Sequence, residues 1–216
     1  EPVFLVSFLV REMMIKGILF DFDGTLTIPG ALDFPAIKQE LGCPPDQAIL
    51  EYLETQTPGK RSSLMKILEE IEDQAAEVSC PNRGAEKCLS VLKGRGIILG
   101  ILTRNGLSSV KKALKKFDGV TIRDFAAVIT RDESLPKPHP DGVYEAAKQM
   151  GLSTGEIMMV GDFRFDVMAG SAAGVKTVLL ANGVKSVMLP GDPEPDYIVS
   201  HLEEILDLSQ APPIRP

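Results

Sequence analysis

Short apolar, partly β-branched runs recur along the chain between longer stretches in which apolar residues return with helical spacing. The short runs predict strands at Ile15 to Asp21, Ile97 to Leu102, Phe125 to Ile129, Ile157 to Val160 and Val175 to Leu180, with an edge at Tyr197 to Val199. The longer stretches predict helices at Gly84 to Lys93, Leu107 to Phe117, Gly142 to Met150, Asp166 to Ala173 and His201 to Leu208. Strands that are apolar throughout suit a parallel sheet buried on both faces, and their alternation with helices implies an α/β fold with a doubly wound parallel sheet. From Asp33 to Ser79 the alternation stops. Only helix-like segments remain there, punctuated by Gly42-Cys43-Pro44-Pro45 and Thr57-Pro58-Gly59. This predicts a small all-helical insertion at 31–79 after the first strand, with 14–30 and 80–210 forming the core. Residues 1–13 read as an N-terminal extension, Ala181 to Pro195 as a loop and 211–216 as a tail.

Composition narrows the function classes. A chain of 216 residues is long enough for one sizeable core and a small insertion. Its 30 acidic and 23 basic residues leave a net charge of −7 with no compensating basic run, which argues against nucleic-acid partners. The apolar run Val3 to Val10 is too short to span a bilayer and lacks a basic leader and a small-residue cleavage site, so no membrane association is expected. Cys43, Cys80 and Cys88 form an odd set without metal-type spacing, as in a reducing compartment, and the expected location is cytoplasmic. Oligomeric state is not legible in the sequence.

The chemistry starts at Phe20-Asp21-Phe22-Asp23-Gly24-Thr25-Leu26-Thr27, directly after the first strand. Carboxylates at i and i+2 leave an extended chain on the same side, and Gly24 lets the chain turn away beneath them. Such a pair can bind one hard cation while an oxygen remains free to attack phosphorus. Three more segments stand at or near strand ends. They are Ile98-Leu99-Gly100-Ile101-Leu102-Thr103, Leu135-Pro136-Lys137-Pro138-His139-Pro140, and Val160-Gly161-Asp162-Phe163-Arg164-Phe165-Asp166. Taken singly, Thr103 reads as a helix cap, Lys137 as a solvated loop residue and Asp166 as a favourable acid at a helix start.

In order, the four segments resemble the motifs of the haloacid dehalogenase superfamily in its phosphatase branch, near phosphoglycolate phosphatase. The resemblance spans about Lys16 to Leu180, and the insertion stands where that family carries a small helical cap on its Rossmann-like core. It implies an Mg²⁺-dependent phosphatase acting on a small phosphomonoester through an aspartyl-phosphate intermediate. Asp21 would be the nucleophile, and Asp23 first the acid for the leaving oxygen and then the base for water. Thr103 would donate to a phosphate oxygen and Lys137 would offset its charge. The metal would be held by Asp21, the main-chain carbonyl of Asp23 and Asp162, with Asp166 orienting them or ligating directly. The acid at position 23 separates the chain from the dehalogenases of the superfamily. A phosphomutase of the β-phosphoglucomutase type, or a non-catalytic regulatory protein on the same scaffold, are the alternatives.

Gly24, Arg104 and Asn105 lie within or beside these motifs and are candidate substrate contacts. Lys60 and Arg61 are further candidates, because they flank the start of a predicted helix, Ser62 to Val78, where free N–H groups favour an anion. His139 and His201 read as loop residues. Lys111, Lys112, Lys115 and Lys116 read as a solvated helix face.

Overall fold

The computed structural model describes residues 14–183 and 187–209; the expected extension at 1–13 and tail at 211–216 lie outside them. Six strands form one wholly parallel sheet in the order β3-β2-β1-β4-β5-β6. They are β1 (Gly17–Phe20), β2 (Ile98–Leu102), β3 (Ala127–Ile129), β4 (Ile157–Gly161), β5 (Lys176–Leu180) and β6 (Tyr197–Val199). This is the expected doubly wound α/β sheet. Its strand order reverses direction between β1 and β4, and in open parallel sheets ligands bind in the crevice at that reversal, beyond the carboxyl ends of the strands.

The strand pleat explains how a nearly continuous apolar run serves two layers. In β1, Ile18 and Phe20 join one buried cluster with Leu89 and Leu92 of α4 (Ala85–Gly94) and Val110 of α5 (Leu107–Leu114). Leu19, between them, joins a second with Val143 of α6 (Asp141–Met150) and Ala169 of α7 (Arg164–Ala173). Adjacent residues face opposite layers, so every position of β1 is buried and none can be polar without loss.

Between β1 and α4 lie α1 (Phe34–Leu41), α2 (Ile49–Glu54) and α3 (Pro58–Val78). Asp33 starts α1 by accepting the Ala36 N–H at 3.1 Å. Ile37, Leu41, Leu50, Leu53 and Leu68 form a third apolar cluster, separate from those of the sheet. The chain leaves and re-enters the core side by side: Thr27 bridges Pro81, and the Ile28 N–H donates to the Cys80 carbonyl at 2.9 Å.

Two expectations need correction. The helix predicted from Ser62 begins at Pro58, so Lys60 and Arg61 belong to its first turn. Pro58 can open the helix because its fixed φ suits that position and its missing N–H would have had no partner there. The lysine-bearing face of α5 is also not merely solvated. Lys112 pairs with Asp73 (3.1 Å) and Glu77 (3.2 Å) of α3, and Lys116 donates to the Glu77 carbonyl.

Candidate active site

Asp21 follows β1, Thr103 follows β2, and Asp162 follows β4, so strand register alone brings three motif residues to one end of the sheet. The Asp21 N–H donates to the Val160 carbonyl at 2.8 Å, continuing the ladder one residue past the strand. Phe22–Leu26 then turns tightly, with Gly24 at φ 85°. A Cβ at Gly24 would lie 2.2 Å from Asp162 Oδ2, so only glycine lets the two acidic loops approach. Gly161 is similar: its Cβ would lie 2.1 Å from Cγ of Asp166.

Lys137 comes from the loop after β3 and is 3 % exposed. Its Nζ donates to Asp21 Oδ1 at 2.5 Å, to Asp166 Oδ1 at 2.5 Å and to the Leu102 carbonyl at 2.8 Å. Burial works against its charge, but Asp166 and Asp21 outweigh that and raise its pKa above the usual lysine value. Asp166 also accepts the Phe163 N–H at 3.0 Å, which fixes its side chain at the start of α7.

One lysine does not balance the acids around it. Asp21, Asp162 and Asp166 offer oxygens that all lie within 4.8 Å of one another, and Asp23 faces the same crevice. Asp162 is pushed up to about 8, first by burial and then by Asp21 and Asp166. Burial lifts Asp166 to about 6, against the pull of Lys137. Asp23 rises to about 8 through burial, with Asp21 and Glu72 adding to it. Protons therefore compete for positions that an oxygen-ligated divalent cation would fill, and the donor set fits a hard metal ion.

The other candidates divide. Asn105 lies in the crevice, where its Nδ2 donates to Asp23 Oδ2 at 2.7 Å. Arg104 lies at the edge, in a two-armed pair with Glu51 of α2 (2.9 and 2.6 Å) and 5.1 Å over the Phe165 ring. Its guanidinium also donates to the Lys137 carbonyl. Lys60 and Arg61 are not brought to the motifs: Lys60 is exposed, and Arg61 pairs with Glu54 at 2.5 Å. Helix α3 is longer at its start than expected, so both residues lie in its exposed first turn. His139 accepts the Asp141 N–H as a loop residue and joins no metal-type cluster among the described residues.

Sequence reading missed four residues. Asn82 donates to the Thr25 carbonyl (2.9 Å) and Asn182 to the Gly24 carbonyl (2.6 Å), so two remote asparagines hold the first motif's turn from outside. Glu72 of α3 and Arg131 form a buried pair at 2.6 Å beside the crevice. An isolated asparagine in a loop, or one acid among many on a helix, gives no periodic signal by which to find it.

Comparison with known proteins agrees with this geometry. The chain is 32% identical over 199 residues to an uncharacterized hydrolase of Saccharomyces cerevisiae, covering 91% of each. It is also 32% identical over 219 residues to a putative pyrophosphatase PpaX of Clostridium perfringens, covering 90% of this chain and 97% of the relative. A crystal structure of a predicted phosphoglycolate phosphatase from Haemophilus somnus shares the fold at a TM-score of 0.68 and 22% identity, covering 91% of this chain and 98% of that one. Residues 30–180 match the haloacid dehalogenase-like hydrolase family. With acidic and basic groups gathered at the sheet's reversal point, and with these relatives, the chain belongs to the haloacid dehalogenase-like hydrolase family.

Proposed function

We propose that the protein hydrolyses a small phosphomonoester with Mg²⁺, through an aspartyl phosphate formed on Asp21. The observation that carries this reading is the meeting of Asp21, Lys137 and Asp166 in one buried network, with Asp162 close enough to share a cation. An Asp21 oxygen attacks phosphorus, and the bond from phosphorus to the leaving oxygen breaks. Asp23, whose burial favours the neutral carboxyl, gives that oxygen its proton. Asp23 then takes a proton from water, which cleaves the acyl phosphate and restores Asp21. Thr103 provides a donor to a phosphoryl oxygen and Lys137 offsets the phosphoryl charge, where fixed charge is worth more than in water.

The side chains of Asp21 and Asp162 and the main-chain carbonyl of Asp23 would hold Mg²⁺, with Asp166 kept in place by Lys137 and the Phe163 N–H. When bound, the ion offsets the carboxylate charge that would otherwise repel a phosphate. Relatives named pyrophosphatase and phosphoglycolate phosphatase support a substrate among small phosphorylated compounds. The three cysteines are free, which supports a reducing, cytoplasmic setting, and no helix among the described residues is long and apolar enough to cross a membrane.

The test is a phosphate-release screen with Mg²⁺ over pyrophosphate, phosphoglycolate, sugar phosphates, nucleotides and phosphoamino acids, without a bisphosphate activator. Turnover of at least one small phosphomonoester, and a phosphate trapped on Asp21 by acid quench and mass spectrometry, is the expected result. A phosphate adduct on another residue would overturn the assignment of the nucleophile.

A further inference from the structure

Asn105 stands just before α5, where an asparagine side chain ordinarily caps the helix by accepting an N–H. Here it does not. The cap position is Gly106, and α5 has no side-chain cap. The carboxamide instead crosses to the first motif and donates to Asp23 Oδ2 at 2.7 Å. Asn105 is itself buried and fixed from both sides of its backbone. Its N–H donates to Thr103 Oγ1 at 3.1 Å, and its carbonyl accepts the Arg131 N–H at 3.4 Å. Arg131 is in turn locked by Glu72, so the donor is held by packed and paired groups.

We infer that Asn105 is a positioning residue for the acid–base carboxyl of Asp23, holding Oδ2 as the acceptor oxygen and leaving Oδ1 to carry the proton delivered to the leaving group. A neutral carboxyl has one carbonyl-like oxygen and one hydroxyl, and a donor fixed on Oδ2 makes that oxygen the carbonyl-like one. The rotamer is then set before substrate arrives, and no reorganisation of the carboxyl is needed when the phosphorus–oxygen bond breaks. The assignment rests on the phosphatase reading above and gives Asn105 a part in proton transfer instead of in substrate recognition.

Leaving-group dependence separates this role from a structural one. An alkoxide needs a proton as it departs, whereas p-nitrophenolate leaves without one. The experiment measures kcat/KM, which reports leaving-group departure but not later hydrolysis of the phosphoenzyme, for the Mg²⁺-loaded enzyme on an alkyl phosphate and on p-nitrophenyl phosphate. Asn105→Ala should lower the alkyl value on the order of 10- to 100-fold and the aryl value by less than about threefold. In an Asp23→Asn background the same change should cost the alkyl substrate nothing further, because the group through which Asn105 acts is already gone. Asn105→Ser, which keeps a shorter donor, should fall between wild type and alanine and serves as the assay if the alanine variant does not fold. Equal losses on both substrates, no loss on either, or additive losses with Asp23→Asn would overturn the role. A wild-type enzyme with no Mg²⁺-dependent turnover of either compound would instead sink the phosphatase reading, and this inference with it.

Discussion

The crevice at the sheet's reversal point and the surface where α2 and α3 meet the core are both rich in charge, but they treat it in opposite ways. Against the core, cations are matched: Glu51 with Arg104, Glu72 with Arg131, Asp73 with Lys112. In the crevice, Asp21, Asp23, Asp162 and Asp166 share one lysine. A matched pair fixes two elements relative to each other and asks for nothing more. An unmatched cluster is unstable as it stands, and burial makes it more so, because each ionised carboxylate lowers the ease of ionising the next. Imbalance, more than the number of charges, is what marks a place built to receive something.

The largest effect that could break this contrast is at Asp21, the proposed nucleophile. Asp21→Asn should lower kcat by about three orders of magnitude or more while the folded protein remains, because the change removes a nucleophilic oxygen but little volume. Turnover close to wild type in the purified variant would remove the crevice from the chemistry.

The next effect concerns the imbalance itself. Asp23 and Asp162 keep their protons up to about 8 in the folded protein, whereas unfolded carboxyls release theirs near 4. The folded state then binds more protons than the unfolded one across that window, so metal-free stability should fall as pH rises from about 4 to about 8. On the proposed reading, Mg²⁺ would replace those protons. Its stabilising effect, about 2.7 kcal/mol at a hundredfold excess over Kd, should therefore widen between pH 5.5 and pH 8. Thermal melts with and without Mg²⁺ at the two pH values would show this, and a Tm gain independent of pH would refute it.

The matched side is tested by Glu72→Gln. Both partners of its pair are buried, with side chains 4 and 5 % exposed, and the change leaves Arg131 without its counter-charge. A loss of about 3 kcal/mol is expected, seen as a Tm lower by on the order of 10 °C. A shift of a degree or less would mean that the pair contributes little to docking α3. The smallest effect should come from Lys60→Ala and Arg61→Ala. Both residues are exposed in the first turn of α3, and the Arg61–Glu54 pair is exposed. Each variant should change kcat/KM by less than about twofold on any substrate. A larger, substrate-selective loss would restore them as specificity contacts.

What could be read from the sequence follows from how locally each feature is encoded. The strands are legible because a parallel sheet buried on both faces demands apolar runs, and β1 to β5 each sit within or at the edge of such a run. Asp21, Thr103 and Asp162 are legible because each needs only its strand end, and the register of the sheet does the rest. Asn105 was visible as a neighbour of Thr103, but its partner was not, since the hydrogen bond to Asp23 joins residues 82 positions apart. The same holds for Asn82, Asn182, Glu51 and Glu72. Each acquires its meaning only when a distant segment arrives beside it, and no local pattern records that arrival. Lys60 and Arg61 show the reverse case. Their local pattern suggests an anion site, but the helix starts earlier than that pattern implies and Arg61 pairs with Glu54.

The paired crossing at Thr27 and Pro81 has a consequence for how such a protein can change. Because the excursion from the core starts and finishes at neighbouring points, the intervening chain is a cassette: nothing in the sheet's threading depends on its length or internal shape. Closing a longer loop between fixed ends costs only slightly more than closing a shorter one. A different excursion could therefore be hung from the same two residues, altering which molecules reach the crevice while the groups that act on them keep their positions.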